Sequence, residues 1–209
     1  MTCDCELTSG RTDCKSLAPT WEKLAETYEL EENVVIAKVD AEAENSKATA
    51  KAQGVSSYPT IKYWKAGSSE PVDYQGGRTE DAFITYINEQ AGTDRVAGGG
   101  LGVVSGTVAA LDALVKKYTG GTALADVAAE IKKEAAAVTD ATQLKYAEYY
   151  VRVFDKLNKS DGYVAKELAR LDGILSKGGL APAKRDEITR KTNVLRRFVE
   201  KVESVKDEL

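Results

Sequence analysis

The chain of 209 residues is long enough for two modest domains, and its 43% hydrophobic and 30% charged content is that of a folded globular protein, not a disordered one. Its net charge of −4 is acidic over the first hundred residues and slightly basic afterwards, and neither half has the basic footprint of a nucleic-acid binder. The absence of histidine excludes imidazole as base or metal ligand, and no apolar run approaches the ~18 residues of a membrane span, so membrane insertion is not expected.

The first segment, "MTCDCELTSG", has neither the basic start nor the apolar stretch of a secretory leader. "CKSLAPTWEKLAETYEL" sets Leu17, Trp21, Leu24, Ala25 and Tyr28 at helical spacing, with a kink expected at Pro19. "NVVIAKVDA" is a short β-branched run of the kind a buried parallel strand shows, and "NSKATAKAQGV" reads as a helix closed at Gly54. "YPTIKYWKAG" is a strand with Pro59 near its start, "EPVDYQGG" an edge strand and turn, and "TEDAFITYINEQAG" a helix with an acidic first turn. This order argues an α/β layer. "GTDRVAGGGLG" reads as a flexible linker; "GGGLG" follows a helix instead of a strand, so a dinucleotide loop fails its context.

From Ser105 onward the apolar period is helical throughout. Five helices are expected, with Gly120-Gly121 and Gly178-Gly179 as stops and Pro182 opening the last. The basic pairs Lys184-Arg185, Arg190-Lys191 and Arg196-Arg197 recur every six residues, which winds them around that helix as a solvated surface.

Cys3, Cys5 and Cys14 are an odd number of thiols crowded at one end, which is not a disulfide framework for the fold. A metal site would need a further ligand, so redox chemistry or a reactive disordered end remains. Lys206, Asp207, Glu208 and Leu209 form the receptor-read retention signal of the endoplasmic reticulum. That address without a leader implies that the natural N-terminus lies upstream, and the chain reads as truncated.

"DCKSLAPTWEKLA", "VVIAKVDAEAE", "GVSSYPTIKYW" and "YQGGRTEDAFITYI" resemble, in order, the second half of a thioredoxin-like domain of protein disulfide isomerases. The helical half, including "YAEYYVRVFDKLNKSDGYVAKELARLDGILSK", is similar to the C-terminal helical domain of one branch of that family, and the resemblance covers residues 14–209. It implies an α/β plus all-α fold: a partial thioredoxin-like domain over 1–92, a glycine-rich linker over 93–102, a five-helix domain over 103–205, and the retention signal at 206–209. It also implies thiol–disulfide exchange in the endoplasmic reticulum lumen, with no cofactor and no metal. Partners would be unfolded or disulfide-bonded client proteins and the retention receptor; the oligomeric state is left open. The alternative is a redox-silent chaperone or escort factor that binds client chains through exposed apolar surface.

Residue by residue, the resemblance aligns Cys14 with the second, resolving cysteine of the family's Cys-Gly-His-Cys motif. There the first thiol, activated at a helix N-terminus, attacks a client disulfide and the second releases the mixed intermediate. This sequence departs at that slot, with Arg11-Thr12-Asp13-Cys14 in its place. Tyr58-Pro59 corresponds to the family's cis-proline turn, which presents backbone to an extended substrate, whereas the residues alone leave trans as the default. Arg78 matches an arginine that swings toward the resolving thiol. Trp21 and Trp64 fall on core faces and read as packing. The strand that should precede the motif, with the strand–helix–strand before it, is missing, and "TCDCELTSG" is too polar and short to replace it. Three expectations follow: a strand over 34–39 with an uncovered edge, isomerase turnover near background, and a Cys14 that is alkylated faster than free cysteine.

Overall fold

The computed structural model describes the backbone of residues 2–4 and 12–199, and side chains from Asp13 to Val199 apart from Thr142. Cys5, Arg11 and the tetrapeptide Lys206 to Leu209 lie outside the described residues, as does the side chain of Cys3. The chain divides into two compact units, residues 1–102 and 103–209. The first is α/β and the second all-α.

In the first unit, β1 (Thr2–Asp4) leads to α1 (Thr12–Thr27), β2 (Ala37–Val39), α2 (Lys47–Ala52), β3 (Thr60–Trp64), β4 (Pro71–Asp73) and α3 (Glu80–Ala91). The four strands form one sheet in the order β2-β1-β3-β4. β1 runs parallel to β2, with Cys3 opposite Lys38, and antiparallel to β3, with Cys3 opposite Ile61. The segment judged too polar to replace the missing strand therefore occupies an interior position. Ladder pairing uses the main chain, so three residues of any polarity can bridge two neighbours that supply matching N–H and C=O groups. The expected strand over 34–39 is shorter and spans Ala37–Val39, the residues opposite Thr2, Cys3 and Asp4. Val34 and Ile36 still pack on the core while Val35 between them is 70% exposed, the alternation of an extended segment.

Helix α1 continues through Pro19 and buries Cys14, Leu17, Trp21 and Leu24, with Tyr28 just beyond its end. Trp21 meets Phe83 of α3 edge-on at 5.6 Å, and its Nε1–H donates to the Ala37 carbonyl at 3.1 Å, which ties α1 to β2. Trp64 is half-buried. α3 starts on Thr79, whose hydroxyl accepts from the Ala82 N–H, carries Glu80 and Asp81 in its first turn, and stops at Gly92 with φ 67°.

The glycine-rich run is not open chain. β5 (Arg95–Val96) and β6 (Gly100–Leu101) form an antiparallel hairpin. Arg95 is 2% exposed; its Nε donates to Glu31 Oε1 at 2.6 Å and its Nη1 to the Gly99 carbonyl at 3.0 Å. Asn88 Oδ1 accepts from the Tyr28 hydroxyl, the Thr93 hydroxyl and the Arg95 N–H, while its Nδ2 donates to the Arg95 carbonyl. Burial within this network pushes the Tyr28 hydroxyl up to about 12. A charged side chain in a glycine-rich stretch thus supplies the anchor that composition alone conceals.

Among its described residues the second unit has five helices: α4 (Ala109–Thr119), α5 (Leu124–Ala137), α6 (Ala141–Leu157), α7 (Tyr163–Lys177) and α8 (Pro182–Val199). Leu111, Val115, Val127, Ile131, Ala147, Tyr150, Val153 and Leu195 are fully buried in one core. α8 packs against α4, α6 and α7, and its basic pairs are only partly a solvated surface. Arg190 donates to the Ser105 hydroxyl at 3.2 Å and lies 6.0 Å from the Tyr146 ring centre. Asn193 Nδ2 donates to the Ser105 carbonyl at 3.0 Å, and Arg197 pairs with Asp112 at 3.3 Å. A six-residue spacing turns successive pairs to different sides of a helix, so some meet protein. Gly106 fits against this contact because it has no side chain: its φ is 80°, and a Cβ there would lie 2.5 Å from Arg190 Cβ.

Candidate functional site

Cys14 occupies the first turn of α1, where unpaired N–H groups of the helix cluster. It is a free thiol and only 1% exposed, enclosed in the core cluster with Leu17, Trp21, Ile61 and Phe83. The amphipathic stripe that buries Leu17 and Trp21 also turns Cys14 inward, three residues before Leu17. This corrects the expectation of fast alkylation: a helix N-terminus favours a reactive thiol only where a reagent can reach it.

The second component is the turn leading into β3. The Tyr58–Pro59 peptide bond is cis. Pro59 is buried, and half-buried Tyr58 packs against the cluster that contains Cys14. The Thr60 hydroxyl donates to the Ser57 carbonyl at 2.5 Å and closes the turn from its far side. Arg78 stands just before the Thr79 cap of α3, exposed, and its Nη2 donates to the Pro59 carbonyl at 3.5 Å. Its guanidinium is thus engaged with the turn.

The loop that carries Arg78 is braced by residues the sequence reading did not single out. The Tyr74 hydroxyl donates to the Gly77 carbonyl at 2.8 Å, and its ring lies 5.1 Å from Phe83 and 5.0 Å from Tyr86. Burial raises the Tyr74 hydroxyl above its ordinary value, which keeps it a donor. Gly76 lies under that ring; a Cβ there would come within 2.5 Å of the Tyr74 hydroxyl oxygen. The signal was present as "YQGGR", a tyrosine followed by paired glycines, but its partner is fixed only by folding. Behind the turn, Lys62 of β3 is buried and its ammonium pairs with Asp73 across the β3–β4 ladder.

The structure therefore brings Cys14 and Tyr58 into one cluster and sets Arg78 on Pro59. Chemically, the arrangement offers, among the described side chains, one enclosed thiol beside a turn whose neighbouring main chain could pair with an extended peptide. Among the described residues no group of three or more His, Cys, Asp or Glu is placed to hold a metal ion. No described helix is long and apolar enough to cross a membrane.

Comparison with known proteins matches residues 11–89 to the thioredoxin family and residues 106–198 to the family described as endoplasmic reticulum protein ERp29, C-terminal domain. Among curated proteins, the chain is 57% identical to protein disulfide-isomerase erp38 of Neurospora crassa, over 94% of this chain and 53% of that protein. It is 55% identical to protein disulfide-isomerase tigA of Aspergillus niger, over 94% of this chain and 52% of the relative. With protein disulfide-isomerase 1 of Dictyostelium discoideum the identity is 38%, over 90% and 52% respectively. The chain spans about half the length of the curated relatives it matches.

Proposed function

Since the chain belongs to the protein disulfide-isomerase family, we propose that it acts in the folding of client proteins in the endoplasmic reticulum lumen, with thiol–disulfide exchange as the reaction its first unit is built for. The observation that carries this reading is the cis Tyr58–Pro59 turn, held by Arg78 and packed on the cluster around Cys14. An extended client would lie along the turn, and a client disulfide would be exchanged at the start of α1. In a complete exchange, a first thiolate attacks one client sulfur, a client thiolate leaves, and a second thiol then displaces the mixed disulfide. Cys14 supplies the second of these groups. Arg11 stands three residues before it, where a partner thiol would complete the motif. The terminal Lys206-Asp207-Glu208-Leu209 supports the lumenal location as a receptor-read signal.

Enclosure of Cys14 at 1% exposure, together with Arg11 in the partner slot, favours a second reading for this sequence, a redox-silent chaperone or escort. One set of assays separates the two. Turnover of a disulfide substrate is expected near background for the unmodified chain, to rise in Arg11→Cys, and to fall again when Cys14→Ser is added. Suppression of client aggregation that is unchanged by Cys14→Ser, with no gain from Arg11→Cys, would favour the escort. Location is tested separately: removing residues 206–209 from a secretory-targeted chain should move it from the cell into the medium.

A further inference from the structure

The connection between α6 and α7 contains the tripeptide Asn158-Lys159-Ser160. Of the chain's asparagines, Asn33, Asn45, Asn88, Asn158 and Asn193, only Asn158 has Ser or Thr two residues later. A tripeptide this short recurs by chance, so its weight comes from where the fold puts it. Residues 158–162 are exposed without exception. Their main chain holds the turn: the Asn158 N–H donates to the Phe154 carbonyl, the Ser160 N–H to the Lys156 carbonyl and the Tyr163 N–H to the Ser160 carbonyl, each at 3.0 Å. The side chains do not contribute. Among the described residues neither the Asn158 amide nor the Ser160 hydroxyl makes a hydrogen bond, whereas Asn88 is committed to four and Asn193 is buried on Ser105. The apolar anchors of this end of α6, Phe154 and Leu157, are buried at 1% and 4%, so a large polar group on Asn158 would displace no core contact.

We propose that Asn158 is an acceptor for N-linked glycan, with Ser160 as the hydroxyl the transferring enzyme reads. The co-substrate is a lipid-linked oligosaccharide pyrophosphate. Asn158 Nδ2 attacks the first sugar's C1, the C1–N bond forms as the C1–O bond to phosphate breaks, the lipid pyrophosphate departs, and the amide proton passes to the enzyme's base. The proposal rests on the lumenal reading above, because that transfer takes place in the lumen.

The test uses the full chain behind a cleavable secretory signal, translated with microsomes and compared before and after endoglycosidase. Four forms are compared: the unmodified chain, Asn158→Gln, Ser160→Ala, and Lys47→Thr added to Asn158→Gln. The last completes an acceptor tripeptide at exposed Asn45 and reports lumenal entry independently. The expected result is one slower-migrating species that endoglycosidase collapses, lost in Asn158→Gln and Ser160→Ala and regained in the reporter. An unmodified parent alongside a modified reporter would overturn the proposal and leave the lumenal reading standing. Entry is imposed by the added signal and shown by its cleavage, so an unmodified parent whose signal has been removed overturns the proposal whatever the reporter does, while the lumenal reading stands or falls on the removal of residues 206–209. A slower species that persists in Asn158→Gln would likewise overturn it.

Discussion

Cys14 and Glu187 show how the surroundings of one side chain set its chemistry. The Cys14 thiol lies on the inward face of α1 at 1% exposure, so a reagent reaches it only when that end of the helix opens. We expect the Cys14 peptide of the folded chain to be alkylated slower than a free thiol by roughly tenfold or more, and to lose that protection in denaturant. Peptide mapping of a labelling time course measures this; fast labelling in native buffer would contradict the enclosure. Glu187 accepts from Lys184 at 2.8 Å and from Lys191 at 2.5 Å, and those two hydrogen bonds hold its carboxyl down to about 2 from an ordinary 4.5. A carboxylate depressed in the folded state stabilises it fully above the unfolded value and loses that contribution as pH falls through the folded one. The Tm of the helical unit should therefore fall between pH 4.5 and about 2, and Glu187→Gln should flatten that part of the profile.

At the scale of elements, the β5–β6 hairpin and α8 do work that their composition does not advertise. Arg95 is buried against Glu31, which is itself 16% exposed, so removing the carboxylate takes from the buried guanidinium the acceptor of its Nε–H. Breaking one partner of such a pair costs about 3 kcal/mol, and Glu31→Ala should destabilise the first unit by that order. A protease reads the same event. Trypsin should spare the bond after Arg95 in the parent chain and cut it in Glu31→Ala, while an elastase-type protease should favour Val103 and Val104, which are 68% and 54% exposed. Equal tryptic cleavage of both chains would mean that the ion pair does not hold the hairpin.

For the whole molecule, the division at residues 102 and 103 gives two units with separate cores, one around Trp21, Phe83 and Ile87 and the other around Ile131, Tyr150 and Leu195. Their unfolding is expected to separate into two transitions. β1 supplies the way to show it, because Cys3 is paired on both sides inside the sheet. Proline cannot donate to a ladder and is excluded from interior strands. Cys3→Pro should abolish the transition of the first unit and leave that of the helical unit unchanged, as followed by calorimetry. A single transition shifted as a whole would argue against separate units.

Much of this protein was legible in its sequence, wherever structure is set by residues within a few positions of one another. Apolar residues at helical spacing, the stops at Gly120 and Gly178 and the start at Pro182 marked out the five helices. "YPTIKYW" and "TEDAFITYI" likewise marked β3 and α3. What the tertiary structure alone decided joins residues far apart. A polar tripeptide became an interior strand because it lies between Lys38 and Ile61. A glycine-rich run became a hairpin because Arg95 found Glu31, 64 positions earlier. Arginines that wind around α8 became clamps because Ser105 and Asp112 lie against them. The enclosure of Cys14 belongs to the same class, since it depends on Ile61 and Phe83 closing over a helix face. Periodicity is a local property that one stretch of chain carries by itself, whereas main-chain pairing and burial of charge require partners that only the folded chain brings within reach.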